Sequence, residues 1–110
     1  MSAAQVHNFL NGVWKTAPGA EWFESRNPAK PADVIGVFPQ STPADIEEAV
    51  SSANRAQAAW RGVGMVARAE YLLRVAGLMD DDRASLARMV AREAGKQINE
   101  AKADVIEAIH

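Results

Sequence analysis

The sequence predicts an α+β chain: short antiparallel strands and turns over residues 1–43, then about four amphipathic helices over 44–110, all within a single partial domain. Two observations carry this. All five prolines, all three phenylalanines and two of the three tryptophans precede residue 44. Beyond Ser41 the hydrophobic period changes from two, which suits a pleated strand, to 3.6, which suits a helix.

Asn11-Gly12 stands between the apolar pairs Phe9-Leu10 and Val13-Trp14, and this dipeptide tolerates the positive φ angles of a tight hairpin turn. Trp22-Phe23-Glu24 is a second short strand, ending before the turn pair Asn27-Pro28. Asp33-Val34-Ile35-Gly36-Val37-Phe38-Pro39 is a β-branched run closed by proline and reads as the third strand segment. Thr42-Pro43-Ala44-Asp45 is a helix start: Thr42 caps, Pro43 suits the first turn, and Asp45 sits near the positive end of the helix dipole. Ile46, Ala49, Val50, Ala53, Ala56 and Trp60 follow at helical spacing as one expected buried stripe, interrupted by Gly62 and Gly64.

A second helix is expected to bury Val66, Ala69, Leu72, Leu73, Ala76 and Met79, with Arg68, Glu70 and Arg74 turned away. Asp80-Asp81-Asp82 ends it and caps a third helix carrying Leu86, Met89, Val90 and Ala94, for which Gly95 is a left-handed stop. A last helix, from about Asn99, carries Ala101, Val105 and Ile109 on one face. Its pattern reaches His110 without glycine, proline or a polar tail, so the sequence reads as cut from a longer one.

Composition narrows the function. Of the apolar residues 22 are alanine, which adds little buried area, so the expected core is thin. Twelve Lys+Arg against fourteen Asp+Glu give a net charge of −2 with signs interspersed, which disfavours a nucleic-acid or anionic-membrane binder. With no cysteine, disulfides, thiolate metal sites and a cysteine nucleophile are excluded within these residues. The start, Met-Ser-Ala-Ala-Gln-Val-His-Asn, lacks the basic and apolar regions of a signal peptide, and the expected location is cytoplasmic.

No active site is visible in the residues themselves. Gly62-Val63-Gly64-Met65-Val66-Ala67 formally matches a dinucleotide-binding glycine pattern, but a helix precedes it where that motif requires a strand, so an inter-helix loop is the better reading. The three consecutive aspartates point in different directions and read as a cap rather than a cation cluster. His7, in an expected mobile N-terminus, and His110 are too far apart in sequence to pair and are expected in solvent. Trp14, Trp22 and Trp60 read as core and edge-covering residues.

The order of the pieces carries a resemblance. Phe9-Leu10-Asn11-Gly12-Val13-Trp14, Asn27-Pro28-Ala29, Val34-Ile35-Gly36-Val37-Phe38-Pro39 and Ser41-Thr42-Pro43-Ala44-Asp45-Ile46, then Arg68, Leu72–Met79 and Arg92-Glu93-Ala94-Gly95-Lys96, resemble the opening of the NAD(P)-dependent aldehyde dehydrogenase superfamily. Arg26-Asn27-Pro28-Ala29, Glu93-Ala94-Gly95-Lys96 and Asn99-Glu100-Ala101 are most similar to the L-glutamate-γ-semialdehyde (1-pyrroline-5-carboxylate) dehydrogenases of proline catabolism. The resemblance implies an α/β parent fold, of which this chain is the N-terminal part of the cofactor-binding domain, and a homo-oligomeric enzyme using NAD or NADP. In that family an aldehyde is oxidised through a thiohemiacetal on a cysteine, hydride passes to the cofactor, and a glutamate base directs hydrolysis of the thioester. No catalytic or cofactor-binding residue carries over onto this chain. What the resemblance implies here is a monovalent-cation site at Ser25, Arg26 and Glu93, the first two through backbone carbonyls. The expected function is a structural segment, inert alone; the rival is a non-catalytic helical oligomerisation or interaction module.

Overall fold

The structure is a computed structural model that describes residues 4–110; Met1, Ser2 and Ala3, with which the leader reading begins, lie outside the described residues. Its elements run β1 (Asn8–Leu10), β2 (Val13–Lys15), β3 (Trp22–Arg26), β4 (Val34–Pro39), α1 (Pro43–Gly62), α2 (Met65–Asp81), α3 (Arg83–Ala94) and α4 (Ile98–Ile109). Two antiparallel strand pairs and four helices make the α+β architecture the sequence predicts. The chain divides into two compact units, one comprising the residues up to Ser25 with Ile35–Val63, the other Arg26–Val34 with Gly64–His110.

In the first unit β1 and β2 pair with Phe9 opposite Trp14, and the turn between them has Asn11 at φ 50° and Gly12 at φ 78°, the left-handed pair that Asn-Gly supplies at low cost. Residues 4–7 before β1 are tied down, contrary to expectation. Val6 N–H donates to the Val37 carbonyl (2.9 Å) and Val37 N–H to the Ala4 carbonyl (3.0 Å), an isolated parallel bridge that satisfies backbone groups along β4. His7 is held as well: its Nδ1 lies 2.7 Å from Thr16 Oγ1 and its ring meets Trp22 edge-on at 5.5 Å.

α1 starts where the sequence places it. Thr42 accepts from Asp45 N–H, and Asp45 Oδ2 accepts from Thr42 N–H (2.7 Å), a complete capping box. The Thr42 backbone N–H, and with it the Thr42 hydroxyl, which donates to the same Asp45 Oδ2 at 2.8 Å, hold the Asp45 carboxyl below its ordinary pKa. The expected buried stripe is not buried: Ile46, Val50 and Trp60 are exposed, because no element among the described residues covers that side of α1. Trp14 is likewise exposed, resting on Phe9 with ring centroids 4.8 Å apart.

In the second unit α3 and α4 pack together, and the buried residues are Ala87, Ala101 and Val105, which are 0, 0 and 4% exposed. This is the thin, alanine-built core that the composition implies. α3 meets its glycine stop as expected, with Gly95 left-handed at φ 65°. Leu86 and Val90 pack inward while Met89 and Ala94 are exposed, so α3's inner face lies slightly to one side of the predicted stripe. Asp82 occupies the N-cap position of α3 without a side-chain cap bond; Asp80 instead pairs with Arg83 at 3.5 Å.

α2 departs most from the prediction. Its half-buried positions are Ala67, Arg68, Ala76 and Met79, whereas Val66, Leu72 and Leu73, expected in the core, are exposed. The long Arg68 side chain is drawn in along its aliphatic stem, leaving its Nε buried without a partner. Of the predicted stripe only Ala76 and Met79 are sheltered, and Arg68, expected to turn away, is half-buried in place of Val66, Ala69, Leu72 and Leu73. No helix of the described residues is long and apolar enough to cross a membrane.

Candidate functional site

The most fully built polar constellation lies where the loop between β3 and β4 meets the C-terminal half of α3. The loop organises itself first. Asn27 Oδ1 accepts from Ala29 N–H (2.9 Å), Lys30 N–H donates to the Asn27 carbonyl (3.1 Å), and Asp33 N–H donates to the Lys30 carbonyl (2.8 Å). Asn27 N–H donates to the Asp33 carbonyl (3.0 Å), closing the loop at its neck. Asparagine at this position, followed by proline, favours such a side-chain-closed turn. Arg26 donates from Nη1 to the Pro31 carbonyl at 2.8 Å.

Onto this loop α3 sends one cation. Arg92 Nε donates to Asp33 Oδ2 (3.0 Å) and Nη2 to Asp33 Oδ1 (2.6 Å), a two-pronged guanidinium–carboxylate pair, while Asn27 Nδ2 also donates to Asp33 Oδ2 (3.3 Å). The hydrogen bond from Arg92, then that from Asn27, lower the Asp33 carboxyl from 3.8 to about 2, and Asp33 in turn raises Arg92. The loop also presses on the end of α3. A Cβ placed on Gly95 would stand 2.7 Å from Pro28 Cγ and 3.0 Å from Ala29 N, so only glycine fits between helix and loop. Lys96, just beyond, pairs with Asp104 of α4.

The structure therefore joins two segments that the sequence treats separately: Arg26-Asn27-Pro28-Ala29 and Glu93-Ala94-Gly95-Lys96 meet through Pro28 and Gly95. It also reveals a pair the sequence reading missed. Asp33 and Arg92 are 59 positions apart, and no local spacing signals such a contact. The arrangement holds geometry and offers no chemistry: Asp33 is ionised at any pH above about 2, Arg92 is protonated, and neither has the intermediate affinity that proton transfer uses.

The remaining candidates lie on separate elements. Ser25 and Arg26 end β3, and Glu93 is exposed in the last turn of α3. Among the described residues no group of three or more His, Asp or Glu side chains is placed to hold a metal. Gly62, Val63 and Gly64 link α1 to α2, with no strand before them, so they do not form the strand–turn–helix that receives a dinucleotide pyrophosphate. His7 and His110 stand at opposite ends of the chain, in different units.

A profile of the aldehyde dehydrogenase family matches residues 14–110. Over 102 residues the chain is 35% identical to the alpha-ketoglutaric semialdehyde dehydrogenase of Bacillus subtilis (strain 168), covering 93% of this chain and 21% of that one. Among solved structures it is similar to a mutant of the Thermus thermophilus 1-pyrroline-5-carboxylate dehydrogenase, with TM-score 0.90 and 30% identity over 98% of this chain and 20% of that one. It is also similar to a putative methylmalonate-semialdehyde dehydrogenase from Sinorhizobium meliloti 1021 complexed with NAD, with TM-score 0.82 and 30% identity over 94% of this chain and 21% of that one. The chain spans about a fifth of the length of the curated relatives it matches.

Proposed function

Because the chain belongs to the aldehyde dehydrogenase family, as its N-terminal segment, we propose that it serves as a structural brace of an NAD(P)-dependent enzyme that oxidises a carboxylate-bearing semialdehyde to the acid. The observation that carries this reading is the family match along residues 14–110, together with the contact that locks two of the resembling motifs at Pro28 and Gly95. The substrate class is supported by the semialdehyde names of the relatives, and glutamate γ-semialdehyde by the 1-pyrroline-5-carboxylate dehydrogenase neighbour. NAD is supported by the neighbour complexed with it.

The chain's own residues do not fit the cofactor, for the glycine pair at 62 and 64 follows a helix, and no catalytic step is derived from them. Without nucleophile, base or cofactor cradle, nothing here stabilises a transition state, so the segment is inert alone. Its contribution is to fix the end of α3 against the β3–β4 loop through Asp33 and Arg92. The same reading makes the remainder of the dehydrogenase its first partner within a homo-oligomer. It keeps the backbone carbonyls of Ser25 and Arg26 and the Glu93 carboxylate as ligands for a monovalent cation, which suits hard oxygen donors.

The test is the coding DNA past the His110 codon, read alongside the intact mass of the natural product. A frame continuing into a cysteine-bearing enzyme that reduces NAD(P) with semialdehydes is the expected result. A stop codon directly after His110, with a natural product of 11.8 kDa, overturns it.

A further inference from the structure

The chain carries asparagine at 8, 11, 27, 54 and 99, in five different settings. Asn27 precedes Pro28, whose nitrogen has no proton, and its side chain is already bonded to Ala29 N–H and Asp33. Asn54 and Asn99 lie in α1 and α4, where helical backbone angles hold the next amide away from the side-chain carbon. Asn8 is paired opposite Lys15, is followed by the bulky Phe9, and donates from Nδ2 to Ser41 Oγ at 2.9 Å. Asn11 differs on each count. It is exposed at the tip of the β1–β2 hairpin and is followed by Gly12, and no hydrogen bond among the described residues engages its side-chain amide or the Gly12 N–H. Space around the tip is open, for a Cβ placed on Gly12 would meet nothing within 4 Å. The flanking strands have only three residues each, so the tip is lightly held.

We propose that Asn11 is a site of spontaneous covalent modification, at which the side-chain amide is lost through a cyclic imide and the main chain is rerouted as isoaspartate. The Gly12 nitrogen gives up its proton to solvent base and attacks Asn11 Cγ. The new N–Cγ bond closes a five-membered ring as the Cγ–Nδ2 bond breaks and ammonia leaves. Water then opens the ring at either carbonyl. Addition at Cγ gives aspartate with the main chain as before; addition at the Asn11 main-chain carbonyl leaves Gly12 joined through Cγ, with one more carbon in the backbone. Glycine matters because a side chain at position 12 would crowd the attacking nitrogen. Either product carries one more negative charge, taking the net charge from −2 to −3. Isoaspartate also lengthens a turn that sets Leu10 opposite Val13, so β1 and β2 lose their register and Phe9 its contact with Trp14. The inference is independent of the dehydrogenase reading, and the failure of either leaves the other standing.

Incubation of the purified, folded 110-residue chain for weeks at about 37 °C, in parallel at about pH 8 and about pH 5, tests this. Conversion is followed by intact mass, by tandem mass spectrometry of the tryptic peptide 1–15, and by methyl transfer from an isoaspartyl methyltransferase. The expected result is a gain of about 1 Da placed at Asn11, with methyl-accepting isoaspartate formed and a rate at least about tenfold higher at the upper pH, because the attacking nitrogen must lose its proton. Asn11→Gly keeps a residue that accepts the left-handed turn, and abolishes both the mass gain and the methyl acceptance with circular dichroism unchanged. A parent chain that gains no more mass than Asn11→Gly overturns the proposal. A gain placed at Asn8, Asn27, Asn54 or Asn99, or conversion to aspartate with no isoaspartate, overturns it equally.

Discussion

α4 and α2 belong to the same compact unit and each carries a stripe of alanine and branched aliphatic residues, yet one stripe is packed and most of the other is not. In α4 the stripe Ala101, Val105 and Ile109 faces α3, and its first two members are fully enclosed. In α2 the stripe Val66, Leu72 and Leu73 faces nothing among the described residues, while Arg68, Ala76 and Met79 take the sheltered positions. Helical periodicity reports which residues share a side, and only the neighbouring elements decide which side is covered. A covered stripe holds the fold; an uncovered one is available to a partner.

Breaking the packed side has the largest effect. Val105→Asp places an unpartnered carboxylate where no water reaches, at a cost of about 4 kcal/mol or more, enough to unfold the α3–α4 pair as followed by circular dichroism. At the corner of that pair, Gly95→Ala forces a side chain into a left-handed residue and against Pro28, costing about 2–3 kcal/mol in urea-unfolding experiments. Outside the pair, Thr42→Ala removes the capping box of α1 and costs about 1 kcal/mol by the same measurement. Smallest is the uncovered side: Leu73→Glu changes stability by no more than about 0.5 kcal/mol.

The clamp on α3 adds a pH signature. Asp33 sits at about 2 in the folded chain, below its ordinary 3.8, so folding favours its ionised form and the unfolded chain binds the extra proton between those values. Its stabilisation is complete above about pH 4 and is lost as pH falls through 2. Thermal unfolding of Asp33→Asn is expected to show a flatter decline over that window than the parent chain, with both melting at lower temperature as acid is added.

The features legible in the sequence were those set by a few adjacent residues. Asn11-Gly12 specified a left-handed turn, Thr42-Pro43-Ala44-Asp45 a capped start, and Gly95 a helix stop, because backbone angles and capping bonds are local. The partners of Ala101 and Val105 were legible only as a stripe. The Asp33–Arg92 pair was illegible because its members lie on separate elements, and the anchoring of Ala4 and Val6 to Val37 because a parallel bridge across the chain leaves no spacing signal. The two motifs at 26–29 and 93–96 were legible as resemblance, while their contact at Pro28 and Gly95 was visible only in three dimensions.

The central claim is that these residues brace an aldehyde dehydrogenase and carry none of its chemistry. The most direct measurement is NAD(P)H formation by the pure 110-residue chain, its mass verified, with glutamate γ-semialdehyde and the semialdehydes of its relatives as substrates. No turnover above the buffer rate is predicted with either cofactor. Steady aldehyde-dependent reduction of NAD or NADP by material of that verified mass would contradict it.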